Sequence, residues 1–311
     1  MRYLSVCSGI EAASVAWHPL GWQPVGFAEI EKFPSAVLAH RFPHVPNFGD
    51  MTKFKDWPDA DVDLLVGGTP CQSFSVAGLR AGLADPRGNL CLTYLAIVDR
   101  YCPEWVLWEN VPGVLSSGDG RDFGAFLGAL GQLGYGFAYR VLDAQYVRVD
   151  GFERAVPQRR RRVFVVGCLG GWRRAAASLF EPGCLSENHP AGRTTRVNNT
   201  GTRTGSPCAA IYSLEQHVYS PDNLMANIAY TLRSQRRPII ISSGGARRLS
   251  PIECERLQGF PDSWTDIPVA GKRAVDGHRY KALGNSMAVN VMRWIGRRIE
   301  MVESVSLQLN S

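Results

Sequence analysis

The sequence has no Cys-x-x-Cys pair and no cysteine with a histidine at metal-ligand spacing; its eight cysteines, at 7, 71, 91, 102, 168, 184, 208 and 254, are scattered. That spacing argues against a structural zinc site or a disulfide framework and for reduced thiols, so no metal is expected. Any apolar run near the ~20 residues of a membrane helix is also missing. The first residues, Met1-Arg2-Tyr3-Leu4-Ser5-Val6, enter a strand-like pattern where a signal peptide would carry its apolar segment. A cytoplasmic location with no membrane partner is expected. Internal repeats and long charge runs are absent too.

Lysine is absent between residues 170 and 248, which hold ten arginines and four acids (Glu181, Glu187, Glu215, Asp222), so this segment carries the whole net charge of +6. Arginine without lysine suits forked contacts to phosphate and guanine edges, and a nucleic-acid surface is the reading that follows. A solvated basic face is the alternative.

What is present is an ordinary globular composition, 45% hydrophobic and 20% charged over 311 residues, enough for two domains. The organising stretch is Leu64-Leu65-Val66-Gly67-Gly68-Thr69-Pro70-Cys71-Gln72-Ser73. An apolar run of strand length breaks at two glycines, and a thiol follows on the stiff support of a proline. A small buried cysteine is the bland alternative. Cys71 is therefore a candidate nucleophile, and the glycine-containing loop up to Arg87 reads as a lid.

Taken in order, residues 3–6 form a strand that leads through Cys7-Ser8-Gly9-Ile10-Glu11 into a helix, the opening of a doubly wound fold. A second strand, 25–28, ends at Glu29, placed to accept from ribose hydroxyls, with Glu31 a competitor; Asp50 could accept from an exocyclic amine. Each acid could equally cap a helix. A helix is expected from about 89 to 101, and the strand 105–108 delivers Glu109-Asn110-Val111 to the edge that holds Cys71. Glu109 is then a candidate acid or the cap of the next turn. Pro157-Gln158-Arg159-Arg160-Arg161-Arg162 runs into the apolar strand 163–167, whose alternation must turn some arginines inward, towards an anion or a carbonyl. From 169 to about 246 the periodicity fades and short strand-like pieces replace helices. Ser250, Pro251 and Glu253 form the start signal of a helix, and Gly284-Asn285-Ser286 reads as the opening of an amphipathic helix whose face is Met287, Val291, Met292, Ile295 and Ile299.

Together these blocks resemble the DNA cytosine-5 methyltransferase family, of bacterial or phage type, across nearly the whole chain. The resemblance rests on Pro70-Cys71-Gln72, Glu109-Asn110-Val111, Gln158 with Arg160 and Arg162, the segment 248–261, and Gly284-Asn285-Ser286, in the family's order.

It implies an α/β, mostly parallel, Rossmann-like sheet that binds S-adenosylmethionine, formed by 1–168 and 280–311. A smaller domain, 169–279, would contain a target-recognition region at about 169–246. The implied catalytic residues are Cys71, Glu109, Arg160 and Arg162. The implied cofactor residues are Ser8, Gly9, Ile10, Glu29, Asp50, Leu90, Asn285 and Ser286. Gln72, Ser73, Arg87, Gln158, Arg233, Arg236 and Arg237 would face substrate or DNA. Double-stranded DNA is the expected partner of a monomeric enzyme that extrudes its target base, and a separately encoded restriction endonuclease is compatible with the family. Two departures stand out: Cys7 and Glu11 replace the family's usual Phe and second Gly in the first turn, and Ile30 replaces the aromatic after the ribose-binding acid. The lost ring and the added carboxylate are expected to weaken cofactor binding, unless Glu11 points outward from the first helical turn. The competing readings are an RNA cytosine-5 methyltransferase and a catalytically idle DNA-binding relative.

Overall fold

The computed structural model describes residues 1–70, 89–181 and 247–306, together with the backbone of 210–212, 229–230, 239–242, 245–246 and 307–309. Among these residues the central element is a six-stranded sheet built from β1 (Arg2–Val6), β2 (Gln23–Ala28), β3 (Leu64–Gly67), β4 (Trp105–Asn110), β5 (Tyr135–Asp143) and β7 (Arg161–Leu169). Its order is β2-β1-β3-β4-β7-β5; the first four strands are parallel, and β7 runs antiparallel to both β4 and β5.

The strands read as near-continuous apolar runs because both faces are covered. Tyr3, Leu64, Val66, Trp105 and Leu107 enter one apolar cluster, while Leu4, Val6, Leu65, Val106 and Trp108 enter the other. Alternation therefore sorts the side chains between two cores. The second face is covered by α3 (Leu90–Tyr101) and α4 (Arg121–Gln132), the first by α1 (Ala12–Trp17) and the C-terminal helix α8 (Val289–Leu309). Helix α3 begins where Asn89 Oδ1 accepts from the Cys91 amide at 3.0 Å. Helix α2 (Lys32–Arg41) follows β2, and α5 (Trp172–Leu179) packs on β5, β7 and α8.

After the short strands β8 (Ala210–Tyr212), β9 (Ala229–Tyr230), β10 (Ile239–Ser242) and β11 (Gly245–Arg248), the chain re-enters helix at α6 (Pro251–Gln258). Ser250 and Glu253 form the reciprocal capping box that their spacing announces, and Gly259 closes the helix in the left-handed region. Leu249, Cys254, Leu257, Phe260 and Tyr280 share the apolar cluster of Trp17 and Ile295, so this returning segment adjoins the sheet. The strand pair β6 (Gln158–Arg159) and β9 is parallel and ties the segment before β7 to the region beyond α5.

One expected boundary is corrected. Gly284-Asn285-Ser286 does not open the last helix: α7 (Asp276–Asn285) ends there, Ser286 is extended, and α8 starts at Val289. The break persists because the Arg160 guanidinium donates to the carbonyls of Gly284 and Ser286, which would otherwise continue the helical ladder. Val291, Met292, Ile295 and Ile299 are buried on one face of α8 as the periodicity implies, whereas Met287 lies in the break.

No helix among the described residues is long and apolar enough to cross a membrane.

Candidate active site

Register sets the site. Val6 is aligned with Ala28 and with Gly67, and Gly67 with Trp108. The next residues of the four parallel strands, Glu29, Cys7, Gly68 and Glu109, therefore line up along the carboxyl edge. The chain reverses direction across the sheet between β1 and β3, which is where doubly wound folds bind ligands.

The first turn is unusual in its backbone. Cys7, Gly9 and Glu11 have φ of 50°, 58° and 65°, so the chain coils tightly between β1 and α1. Ser8 ties this turn to both strands: its hydroxyl donates to the Ser5 carbonyl at 2.9 Å and accepts from the Ala28 amide at 3.2 Å. Glu29 accepts from the Gly9 amide (2.8 Å) and the Glu31 amide (2.7 Å), and its own backbone is held in both directions by the Asn47 side chain at 3.0 and 3.1 Å. Asn47 was not legible as a site residue, since a lone loop asparagine carries no pattern. Glu31 is half exposed and paired with Lys281 at 2.8 Å. Asp50 caps the 3-10 turn Met51–Asp56, its Oδ1 accepting from the Thr52 amide and hydroxyl at 2.9 and 2.8 Å.

A cleft opens at this edge, lined by Ser8, Gly9, Glu11, Gly68, Glu109, Asn285, Ser286 and Met287, among others. Expected residues Ser8, Gly9, Glu109, Asn285 and Ser286 thus meet in one place. Ile10 is instead fully buried in the core, with its carbonyl accepting from Trp264 Nε1 at 2.9 Å. Leu90 is the first residue of α3, packed against the second apolar cluster. Gly68 has a steric reason to be glycine, because a Cβ there would stand 3.0 Å from Glu109 Oε2.

The outward placement of Glu11 is overturned. Its left-handed backbone turns the side chain inward, where it is 1% exposed and caps α1. Oε1 accepts from the Ser14 amide and hydroxyl, both at 3.1 Å, and Oε2 from the Ser5 hydroxyl at 2.9 Å. Burial pushes its carboxyl up to about 7, opposed by these hydrogen bonds. Cys7 is half-buried: desolvation, then the nearby Glu29, pushes its thiol up to about 12, and its Sγ donates to Met51 Sδ at 3.4 Å. Such a thiol is inert, and it occupies the place of the expected aromatic ring.

At the other end of the cleft Arg162 Nε stands 3.0 Å from Glu109 Oε1, both side chains largely buried. Burial raises the Glu109 pKa, while the charges of Arg160 and Arg162 pull it back. Arg160 is 3% exposed and gives its hydrogen bonds to the α7–α8 break. Arg161 is exposed, so the arginine run alternates as strand geometry demands. Gln158 is fully enclosed and makes no side-chain hydrogen bond among the described residues. The backbone just before Pro70 is pinned: Thr69 Oγ1 accepts from Trp108 Nε1 at 2.9 Å and the Thr69 carbonyl from Asn110 Nδ2 at 3.0 Å. Cys71, Gln72, Ser73, Arg87, Arg233, Arg236 and Arg237 lie outside the described residues. No group of His, Cys, Asp or Glu that could hold a metal ion occurs among the described residues.

A mostly parallel, doubly wound sheet with its cleft at this edge is the Rossmann-like architecture of the S-adenosylmethionine-dependent methyltransferases. The S. pombe Dnmt2 methyltransferase has the same fold, with a TM-score of 0.65 at 20% identity over 97% of this chain and 99% of that one. The chain belongs to the C-5 cytosine-specific DNA methylase family, whose model matches residues 1–200 and 183–301. It is similar to the type II methyltransferase M2.BsuMI of Bacillus subtilis (strain 168), 28% identical over 96% of this chain and 75% of the relative. It is also similar to a protein of Escherichia phage P1 named DNA N-6-adenine-methyltransferase, 34% identical over 96% of this chain. The chain spans 61% of that phage protein's length, and the alignment runs over 465 residues, so the relative carries segments that this chain lacks.

Proposed function

We propose that the chain transfers a methyl group from S-adenosylmethionine to C5 of an extruded cytosine in a short sequence of double-stranded DNA, acting as a monomer. The observation that carries the reading is the buried Arg162–Glu109 pair, 3.0 Å apart, at the edge to which Pro70-Cys71 is attached.

The cleft fits the cofactor chemically. Ser8, Gly9, Asn285 and Ser286 line it and would hold the cofactor, the last two at its methionine end, and Glu29, tied to the Gly9 amide, would take the ribose. When bound, S-adenosylmethionine supplies an activated methyl group for the C5 carbon. The work of this chain's residues is to make C5 nucleophilic. The Cys71 thiolate adds to C6, turning the ring into an enamine. Glu109, its proton favoured by burial, holds that proton at N3, and Arg162 holds O2 while orienting Glu109. Loss of the C5 proton and elimination of Cys71 restore the aromatic ring. Thr69 and Asn110 keep the segment leading to Cys71 in place, and Arg160 fixes the break that carries Ser286. The domain division stated above is part of this proposal, with the arginine-rich region at about 169–246 reading the target.

The name of the phage P1 relative concerns adenine N6. Methylation of an exocyclic amine proceeds by direct attack of nitrogen and needs no thiolate adduct, so a Pro-Cys dipeptide that follows β3 in a chain with the Glu109–Arg162 pair favours the cytosine reading. Trapping tests it. Duplex DNA carrying 5-fluoro-2′-deoxycytidine at the target, incubated with the chain and S-adenosylmethionine, should give a denaturation-resistant complex, because fluorine cannot leave as the C5 proton does. Peptide mapping should place the adduct on Cys71. An adduct elsewhere, or none with a chain that binds the DNA, contradicts the mechanism.

A further inference from the structure

Glu11 is a buried titratable group that the transfer mechanism leaves unused. It lines the same cleft as Gly9, Asn285, Ser286 and Glu109, yet is 1% exposed. Its hydrogen-bond donors are all neutral, two serine hydroxyls and one amide. Among the described residues no lysine, arginine or histidine lies within salt-bridge distance of it. The groups facing it deepen the imbalance. Tyr3 on β1 hydrogen-bonds Ser14 at 2.6 Å, Glu29 at the end of β2 repels it, and Glu109 from β4 lines the cleft with it. From α8, Arg293 is engaged with the Ala16 carbonyl and with Asp150 at 3.2 Å. A buried carboxylate needs a cation, and the described residues supply none here.

Resting on the cofactor reading above, we propose that Glu11 is a binding residue that recognises the sulfonium charge of S-adenosylmethionine and so prefers the charged cofactor to its uncharged product, S-adenosylhomocysteine. Both molecules carry the same α-amino acid end, so only the charge at sulfur distinguishes them. The preference favours release of spent cofactor. Because the carboxyl without ligand sits near neutrality, at about 7, binding of the cation draws Glu11 into its ionised form and expels a proton.

Isothermal titration of the full chain with each ligand, in buffers of different ionisation enthalpy, tests this without turnover. At pH 7 S-adenosylmethionine should release a substantial fraction of a proton and S-adenosylhomocysteine close to none. Affinity for the sulfonium should rise about tenfold from pH 6 to pH 8, as expected when a group titrating near 7 must be ionised. Glu11→Gln keeps the side-chain shape, since Nε2 can donate to a turned Ser5 hydroxyl, and should bring the two affinities together and abolish the proton release. Equal proton counts for both ligands in the natural chain, or an unchanged preference in Glu11→Gln, would overturn the inference. Failure of the natural chain to bind either ligand would instead overturn the cofactor reading, and the inference with it.

Discussion

Arg162 reaches from β7 to within 3.0 Å of Glu109 on the neighbouring strand, and their side chains are only 14% and 11% exposed. One such pair can serve both stability and chemistry, and the two roles are separable. Glu109→Gln keeps the shape and removes the transferable proton. It should lower kcat by about a hundredfold or more with little change in DNA affinity, as loss of a positioned acid does. Arg162→Ala should in addition destabilise the fold by roughly 2 kcal/mol, because it removes the polar partner of a buried carboxyl. Steady-state kinetics beside denaturant titration checks both.

The pH dependence of kcat/KM follows from the direction of the Glu109 shift. The proposed mechanism uses its protonated form, and burial moves its pKa upward, so the proton is retained to higher pH than on an exposed glutamate. Activity should fall on the alkaline side as Glu109 ionises, and that limb should vanish in the residual activity of Glu109→Gln.

Arg160 should behave differently from Arg162. Its guanidinium forks onto the carbonyls of Gly284 and Ser286, and a lysine ammonium cannot reproduce that planar geometry. Arg160→Lys should weaken S-adenosylmethionine binding about tenfold while leaving DNA affinity unchanged, measured by titration calorimetry and by gel shift. Equal losses in both would contradict a role confined to the cofactor side.

Glu11 makes stability depend on pH in a defined sense. Its carboxyl titrates at about 7 in the fold, above its unfolded value, so the folded chain binds the extra proton. The stability linked to it is complete below the unfolded pKa and is lost as pH rises through about 7. Glu11→Gln should therefore gain on the natural chain as pH rises from 5 to 8, by roughly 2 kcal/mol without ligand. Urea unfolding at the two pH values measures it; a constant difference would contradict the buried, cation-free environment.

Ser250→Ala offers a contrasting control remote from the chemistry. It removes one half of the capping box of α6 and should cost about 1 kcal/mol, seen as a lowered Tm, with kcat unchanged.

Much of this architecture was legible before any coordinates. Alternating apolar residues announced the strands, and Ser250-Pro251 with Glu253 announced α6, because these signals are local. The edge that holds Glu109 followed from the order of strands, whereas the meeting of Ser8, Gly9, Asn285 and Ser286 in one cleft was implied by the family resemblance alone. Three features were hidden, each for a non-local or conformational reason. The inward turn of Glu11 depends on a φ of 65°, which reverses the direction that a first-turn acid normally takes. The break between α7 and α8 interrupts an unbroken apolar periodicity and is held by Arg160, a partner more than a hundred residues away in sequence. The Asn47 clamp on Glu29 comes from a loop residue without a pattern.

The most direct test of the central claim is base-resolution methylation sequencing, with nucleoside mass spectrometry, of DNA from a methylation-free bacterial host expressing this chain or its Cys71→Ala variant. The account predicts 5-methylcytosine confined to one short sequence motif, no added N6-methyladenine, and neither modification in the variant. N6-methyladenine in place of 5-methylcytosine, no methylated base from a folded chain that binds S-adenosylmethionine, or undiminished 5-methylcytosine in Cys71→Ala would contradict it.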